Sequence, residues 1–182
     1  MEWLERLETI MYGNLAWTAA VDRLDLVAEP VVPAVREHAG VMVAEIDPEL
    51  ADTAAFCERY EIPLEMSANC VIVAAKRGGE VRHAACLVLA TARVDVNGIV
   101  RRHLDARKTS FAAMDQATSL TGMEYGGITP LGLPKEWPVL VDVAVAAEGH
   151  VVVGSGLRRS KLLLPGRILA GLPGAEVIAL AG

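Results

Sequence analysis

Glycine and proline are concentrated in one stretch of the chain, Thr-Gly-Met-Glu-Tyr-Gly-Gly-Ile-Thr-Pro-Leu-Gly, which runs from Thr121 to Gly132. Glycine adopts backbone angles closed to other residues and lets a ligand approach the main chain, while proline fixes a turn and lacks an N–H donor. A loop of this composition can present its remaining backbone N–H groups to a bound ligand. The alternative interpretation is a structural turn, because clusters of glycine and proline commonly do no more than reverse the chain.

Motifs of the common catalytic and metal-binding sites are absent from the sequence. It contains no Gly-x-x-x-x-Gly-Lys phosphate loop, no Cys-x-x-Cys, no His-Glu-x-x-His and no Gly-x-Ser-x-Gly. The four histidines are isolated from one another: His38, His83, His103 and His150. We therefore expect neither a metal site nor a cofactor. The three cysteines, Cys57, Cys70 and Cys86, lie among apolar neighbours and indicate reduced core thiols rather than a nucleophile or a disulfide.

Several segments resemble the signature of a known family in the same order. They are Thr121-Gly122, the run Gly-Gly-Ile-Thr-Pro-Leu-Gly at 126–132, Asp142 after a short apolar run, and Gly-Ser-Gly at 154–156. Together they resemble the YbaK-type aminoacyl-tRNA deacylases, also called the prolyl-tRNA-synthetase-associated or editing-domain family. The resemblance covers the chain from about Ala51 to the end.

The resemblance implies an activity that needs no protein nucleophile. Members of this family hydrolyse the ester that joins a small or mismatched amino acid to the terminal adenosine of tRNA. Backbone N–H groups hold the ester carbonyl, and a water or the substrate's own ribose hydroxyl is placed beside it. The implied partner is the aminoacylated acceptor end of a tRNA, with an aminoacyl-tRNA synthetase as a second possible partner.

The resemblance also assigns roles to individual residues of the loop and its surroundings. Thr129 offers a hydroxyl to substrate or water, Pro130 stiffens the turn, and Asp142 positions the loop or recognises the amino group. For Asp142 the alternative is a residue at a strand end that caps a turn. The implied catalytic residues are Gly126, Gly127, Thr129 and Asn69, and the implied substrate-binding residues are Ile128, Pro130, Gly132, Asp142, Gly154, Ser155 and Gly156.

The sequence departs from the family pattern at Asn69. A lysine usually begins this strand and is implicated in catalysis and in holding the RNA end, whereas Asn69-Cys70-Val71 stands here. An asparagine amide carries no charge, so the electrostatic stabilisation that a lysine gives to a phosphate or an oxyanion is lost. Lys76, seven residues along the strand, faces the other side of the sheet and is a poor substitute. Four basic residues could approach from elsewhere, although each is interpreted first as a solvated surface charge: Lys108, Arg158, Arg159 and Lys161. The alternative function is therefore a catalytically silent paralogue that binds an aminoacyl-tRNA, a nucleotide or a synthetase.

Composition limits the classes of function. The net charge of −6 argues against a protein that coats nucleic-acid backbones, although capture of one RNA end is compatible with it. Apolar residues make up 53% of the chain, yet no apolar run approaches the roughly 18 residues that a membrane span requires. The first residues lack the basic and apolar blocks of a secretion signal. We expect a soluble, cytoplasmic protein with no membrane contact, whose 182 residues form one domain.

The periodicity of apolar residues predicts short helices and strands in alternation. In residues 1–50 we expect one or two helices over 2–24, a short helix over 33–38 and a strand over 41–46. In the core over residues 51–182 we expect a helix over 52–60, a hairpin over 69–91, a helix capped by Asp95, and a helix that Ser110 caps and Gly122 stops. Strands over 139–145, 150–153, 161–164 and 176–180 and a helix over 165–172 follow. The predicted class is α+β, with a curved, largely antiparallel sheet and short helices packed around it.

Overall fold

The computed structural model describes residues 10–182 and contains two five-stranded sheets. The strands are β1 Ile10–Tyr12, β2 Leu15–Ala19, β3 Met42–Glu45, β4 Ala68–Arg77, β5 Glu80–Leu89, β6 Lys108–Phe111, β7 Val139–Asp142, β8 Val151–Gly154, β9 Ser160–Leu164 and β10 Ala175–Ile178. The first sheet has the order β1-β2-β3-β9-β8 and is antiparallel. The second has the order β10-β7-β5-β4-β6 and is mixed, because β7 pairs in parallel with both β5 and β10. These mixed elements confirm the α+β class.

Short helices connect the strands. The α-helices are α1 Val32–Glu37, α2 Thr53–Tyr60, α3 Arg101–His103, α4 Met114–Thr121, α5 Val143–Ala146 and α6 Gly166–Ala170. A π-helical turn at Val96–Val100 leads into α3, and the carboxylate of Asp95 accepts hydrogen bonds from the N–H groups of Gly98 and Ile99, as a cap does. Within residues 10–182, no helix has the length and apolarity needed to cross a membrane.

The β4–β5 hairpin occupies the centre of the second sheet, as its continuous apolar sequence predicts. Side chains alternate between the faces of a strand, so both faces of this hairpin are covered. Ile72 and Leu87 pack in the largest core cluster, while Val73 and Cys86 pack in a second cluster on the opposite face. A bridge between Ser67, just before β4, and Val152 in β8 links the two sheets. The start of β4 is therefore the place where the sheets meet.

The prediction of helices over residues 2–24 is wrong for the part that the structure describes. Residues 10–19 form the β1–β2 hairpin, followed by two 3₁₀ turns, and residues 2–9 lie outside the described chain. Leu15, Trp17 and Ala19 are buried and Ala16 is exposed, so the burial alternates with a period of two. Trp17 is fully buried, and its indole N–H donates to the backbone oxygen of Tyr12. Tertiary burial of this tryptophan thus decides the conformation of the segment.

Two further boundaries differ from the predictions. Ser110 lies inside β6 and caps nothing, while α4 begins at Met114 and ends at Gly122 in the left-handed region, as predicted. The strand predicted over residues 139–145 ends at Asp142, because the Asp142 carboxylate accepts a hydrogen bond from the N–H of Ala144 and starts α5 there.

Candidate active site

A cavity of about 380 Å³ lies where the two sheets meet. Its walls come from the start of α2, from residues 68–72 of β4, from residues 111–117, from the loop at 125–128 and from the ends of β8 and β9. Elements from both sheets therefore enclose it. Its size falls in the range that a small ligand occupies in proteins, about 300–1,000 Å³.

The glycine-rich loop forms one wall of this cavity through Gly126 and Ile128. The loop is fixed by the N–H of Gly127, which donates to the Glu124 oxygen at 2.9 Å, and by the oxygen of Gly127, which accepts from the N–H of Gly156 at 2.7 Å. Within residues 10–182, the N–H groups of Gly126 and Ile128 donate to no other residue. The turn is thus held internally while two residues of the cavity wall retain donors for a ligand.

The loop approaches the end of β8 so closely that a side chain does not fit between them. A Cβ atom added to Gly154 would lie 2.4 Å from the Gly127 oxygen and 2.8 Å from the Ile128 oxygen. Both distances are shorter than real Cβ atoms show, so glycine is required at residue 154 by direct backbone contact.

Arg158 connects the loop to the segment before α2. Its guanidinium donates through Nη1 to the oxygen of Tyr125 at 3.0 Å and through Nη2 to the oxygen of Pro48 at 2.9 Å. Its backbone N–H donates to the carboxylate of Glu124. Because the planar guanidinium bridges two carbonyl groups, it holds the segment before Gly126 in place.

Asn69 faces the cavity from β4, across from the loop. The hydroxyl of Thr53, at the start of α2, donates to Oδ1 of Asn69 at 2.5 Å. An asparagine amide has a carbonyl that accepts and an NH₂ group that donates. Since Thr53 occupies the acceptor, the NH₂ group is the part of Asn69 that remains for a ligand.

Lys161 in β9 also lines the cavity, and only 7% of its surface is exposed. Its Nζ donates to the oxygen of Ala51 at 2.9 Å and lies 5.3 Å from the centre of the Phe56 ring. Burial lowers the pKa of Lys161 to about 8, a shift that Cys57 and Asp52 oppose. The interpretation of Lys161 as a solvated surface charge is therefore wrong.

Three exposed apolar side chains stand among the cavity-lining residues. Phe111 is 63% exposed, Met114 is 54% exposed and Tyr125 is 51% exposed. Large apolar side chains that remain exposed beside a cavity are typical of a surface that binds a partner. We call Phe111, Met114 and Tyr125 the rim.

The chain matches the family of aminoacyl-tRNA editing domains over residues 47–171, which is more than half of its length. The chain belongs to this family. The resemblance noted from the sequence is thereby confirmed, and the residues of the cavity wall from Ala51 to Lys161 all lie within the matched part of this editing domain.

Solved structures share the fold of this editing domain. A candidate trans-editing enzyme for prolyl-tRNA synthetase matches with a TM-score of 0.72 at 19% identity, over 84% of this chain and 95% of its own. A scaffold protein used for computational grafting of linear epitopes matches with a TM-score of 0.72 at 20% identity, over 85% of this chain and 97% of its own. A hypothetical protein, APE2540, matches with a TM-score of 0.68 at 18% identity, over 77% and 90% of the two chains. At these identities the similarity shows the fold.

Only part of the site implied by the sequence lines the cavity of the editing domain. Gly126, Ile128, Gly154 and Asn69 line it, and the structure adds Lys161, which the sequence reasoning did not select. The other implied residues are absent from its walls: Gly127, Thr129, Pro130, Gly132, Asp142, Ser155 and Gly156.

Asp142 binds backbone N–H groups and does not line the cavity. Its Oδ1 accepts hydrogen bonds from the N–H groups of Leu180 and Ala181, and its Oδ2 accepts from the N–H of Ala144. The carboxylate is 4% exposed and joins β7, α5 and the last residues of the chain. These contacts fit the capping role that the sequence left as the alternative, and recognition of an amino group by Asp142 stays a prediction.

Ser155 and Gly132 make contacts that hold the fold, and Thr129 of the loop is buried. The Ser155 hydroxyl is fully buried and lies 2.6 Å from the hydroxyl of Ser160, which holds the turn between β8 and β9. A Cβ atom at Gly132 would lie 2.0 Å from the Pro30 oxygen, so this glycine allows a close backbone contact. Thr129 is fully buried, and its hydroxyl has no hydrogen-bond partner within the described chain.

The cysteine that lines the cavity is not a thiolate. Burial raises the pKa of the Cys70 thiol far above its usual range, and burial likewise raises the pKa of Cys86 to about 12. Both thiols are therefore neutral at pH 7, and all three cysteines are free of disulfides. The prediction of reduced thiols in the core fits this arrangement.

Proposed function

We propose that this editing domain hydrolyses the ester of a mischarged small amino acid on tRNA, acting as a separate protein in trans. The observation that carries the proposal is the cavity wall at Gly126 and Ile128, whose N–H groups remain available beside a ligand-sized space. Editing domains of this kind act on aminoacyl-tRNA, and a structurally similar protein is a candidate trans-editing enzyme for prolyl-tRNA synthetase.

The chemistry follows from the placement of donors. The ester carbonyl oxygen accepts hydrogen bonds from the loop N–H groups, and the Asn69 NH₂ group faces the same space from β4. A water adds to the carbonyl carbon, with the neighbouring ribose hydroxyl placed beside it, and forms a tetrahedral oxyanion that these donors stabilise. The bond between the carbonyl carbon and the ribose oxygen then breaks, and the ribose oxygen takes up the proton that the nucleophile released.

The cavity wall favours a small acyl group. Ala68, Ala112 and Ala117 line it together with the neutral thiol of Cys70, so one part of the wall is made of short, apolar side chains. The rim would hold the terminal adenine outside the cavity, since nucleobases stack on aromatic side chains with about 1–3 kcal/mol per base. Under this proposal the amino acid enters the cavity and the RNA end rests on the rim.

A second candidate function is a binding module without catalysis. It is favoured by Asn69, which places an uncharged amide where the family pattern has a lysine. Such a paralogue would hold an aminoacyl-tRNA end, a nucleotide or a synthetase. Both candidate functions place the protein in the cytoplasm, where charged tRNA is used.

The test is deacylation of tRNAs charged with alanine, serine, cysteine, threonine or proline. We expect wild-type protein to hydrolyse at least one of them and Ala112→Phe, which fills the cavity, to hydrolyse none. Gly149→Ala is the matched control, because a Cβ atom there meets nothing within 4 Å. Inactive wild type together with an active Asn69→Lys variant would contradict the enzyme and support the binding module.

A further inference from the structure

The position of Lys161 in the first sheet gives its side chain room to reach the cavity. In the ladders that flank β9, Lys161 pairs with Ala44 of β3 and with Gly154 of β8. Neither neighbour has a side chain larger than a methyl group. Leu163, two residues further along β9, packs on α2 in the core, so Lys161 occupies the cavity end of the same face.

The surroundings of Lys161 fix its ammonium group without neutralising it. An ammonium has three N–H donors, and one of them is bound to the oxygen of Ala51. Among residues 10–182, Lys161 forms no salt bridge. The charged or titratable groups that act on it are Asp52 and Cys57 from α2 and its entry, and Arg158 from the turn before β9. A buried cation without a bound anion is costly, and a ligand with negative charge would remove that cost.

We propose that Lys161 is the cation of this site and that its ammonium binds an anionic oxygen of the substrate. The inference rests on the proposed function for the identity of that substrate. Two oxygens of an aminoacylated RNA end carry the required charge: the oxyanion that forms on the ester carbonyl, and the phosphate that precedes the terminal adenosine. Lys161 acts from β9 of the first sheet, whereas Asn69 acts from β4 of the second.

A cationic role differs from that of a general base in its dependence on pH. The hydrogen bond to Ala51 is a donor bond, and the ammonium form prevails at pH 7 because the pKa is about 8. Hydrolysis should therefore fall as the pH rises above 8. A lysine that acted as a base would give the opposite profile, with activity rising through pH 8.

The first experiment compares Lys161→Gln and Lys161→Arg with Lys76→Gln, which removes an exposed lysine at the far end of β4. We expect Lys161→Gln to lower the deacylation rate roughly 100-fold, the usual loss for one oxyanion donor. Lys161→Arg keeps the charge, so it should retain more activity and should not lose it above pH 8. The proposal would be overturned if Lys161→Gln had the wild-type rate. It would also be overturned if both variants were equally inactive and the activity of the wild-type protein rose through pH 8. Circular dichroism checks that each variant is folded.

The second experiment separates the two sources of negative charge, and its binding measurements do not require turnover. Binding of AMP and of adenosine is measured by calorimetry, and hydrolysis of an amino acid methyl ester is measured beside that of aminoacyl-tRNA. If the phosphate is bound, AMP binds more tightly than adenosine, and Lys161→Gln removes the difference. If the oxyanion is bound, Lys161→Gln slows hydrolysis of both esters. The inference is wrong if Lys161→Gln changes neither the preference for AMP nor the hydrolysis of the two esters. Wild type that hydrolyses neither ester but prefers AMP contradicts only the proposed hydrolysis.

Discussion

The hydroxyl of Thr53 at the start of α2 donates a 2.5 Å hydrogen bond to Oδ1 of Asn69 in β4. Both residues line the cavity, so this bond joins two of its walls. The bond also fixes the orientation of the Asn69 amide. Rotation of the amide by half a turn would exchange its accepting oxygen and its donating NH₂ group, and the bond from Thr53 holds the oxygen on the Thr53 side.

Replacement of Thr53 by valine should release the Asn69 amide. The shape of the side chain is kept and the donor is lost, so the amide can turn its oxygen toward the substrate. We expect deacylation to slow about fivefold, which corresponds to about 1 kcal/mol for one hydrogen bond. Single-turnover rates on the best substrate of the panel measure the effect. Thr91→Val, at an exposed threonine after β5, is the control, and equal rates for the two variants would contradict the role of this bond.

Gly154→Ala should damage the site through the backbone. The added Cβ would lie 2.4 Å from the Gly127 oxygen, so the glycine-rich loop must move away from β8. We expect the free energy of unfolding to fall by about 1–3 kcal/mol, as for other overpacked positions, and the deacylation rate to fall as well. Urea unfolding of Gly154→Ala beside Gly149→Ala measures this. Equal stability of the two variants would show that the loop tolerates displacement.

Asp142→Ala separates a structural role from a catalytic one. The substitution leaves the N–H groups of Ala144, Leu180 and Ala181 without their carboxylate partner. We expect a loss of about 1.5–3 kcal/mol in the free energy of unfolding, because hydrogen bonds to a charged group are the stronger ones. The rate per folded molecule should not change, since Asp142 does not line the cavity. Glu58→Ala, at an exposed position of α2, is the control. If Asp142→Ala kept full stability but deacylated more slowly, Asp142 would have a role in the site.

Lys161 should make the stability depend on pH in the alkaline range. Its pKa is about 8 in the folded protein and 10.5 without the fold, so between these values the unfolded chain binds more protons. The free energy of unfolding therefore rises with pH across that window, and below pH 8 the protein carries the full cost of a buried charge. We expect Lys161→Met to be more stable than wild type at pH 7, by up to about 3 kcal/mol, with the difference shrinking toward pH 10.5. A difference that stays constant from pH 7 to 10.5 would contradict this.

The local sequence predicts those features that depend on neighbours along the chain. The run from Asn69 through the glycine pair at residues 78 and 79 specifies the central hairpin, because apolar side chains on both faces of a strand require cover on both sides. The family follows from the glycine-rich segments, and the resemblance they carry selected Gly126, Ile128 and Gly154, which line the cavity, together with seven residues that do not. In contrast, the burial of Trp17 in the first sheet converts a segment with helical spacing into a hairpin, and this depends on distant partners.

The charge of the site is decided by tertiary structure alone. Lys161 is the second residue of β9 and precedes three buried leucines, and the local sequence carries no sign that its ammonium reaches Ala51, which is 110 residues away. Arg158 spans the same separation to Pro48 when it fastens the loop. The order of glycines and apolar residues thus determined the hairpin, the loop and the family, since these follow from backbone freedom and strand periodicity. The junction of the two sheets decided which cation enters the cavity, because burial and charge depend on every element that packs around a side chain.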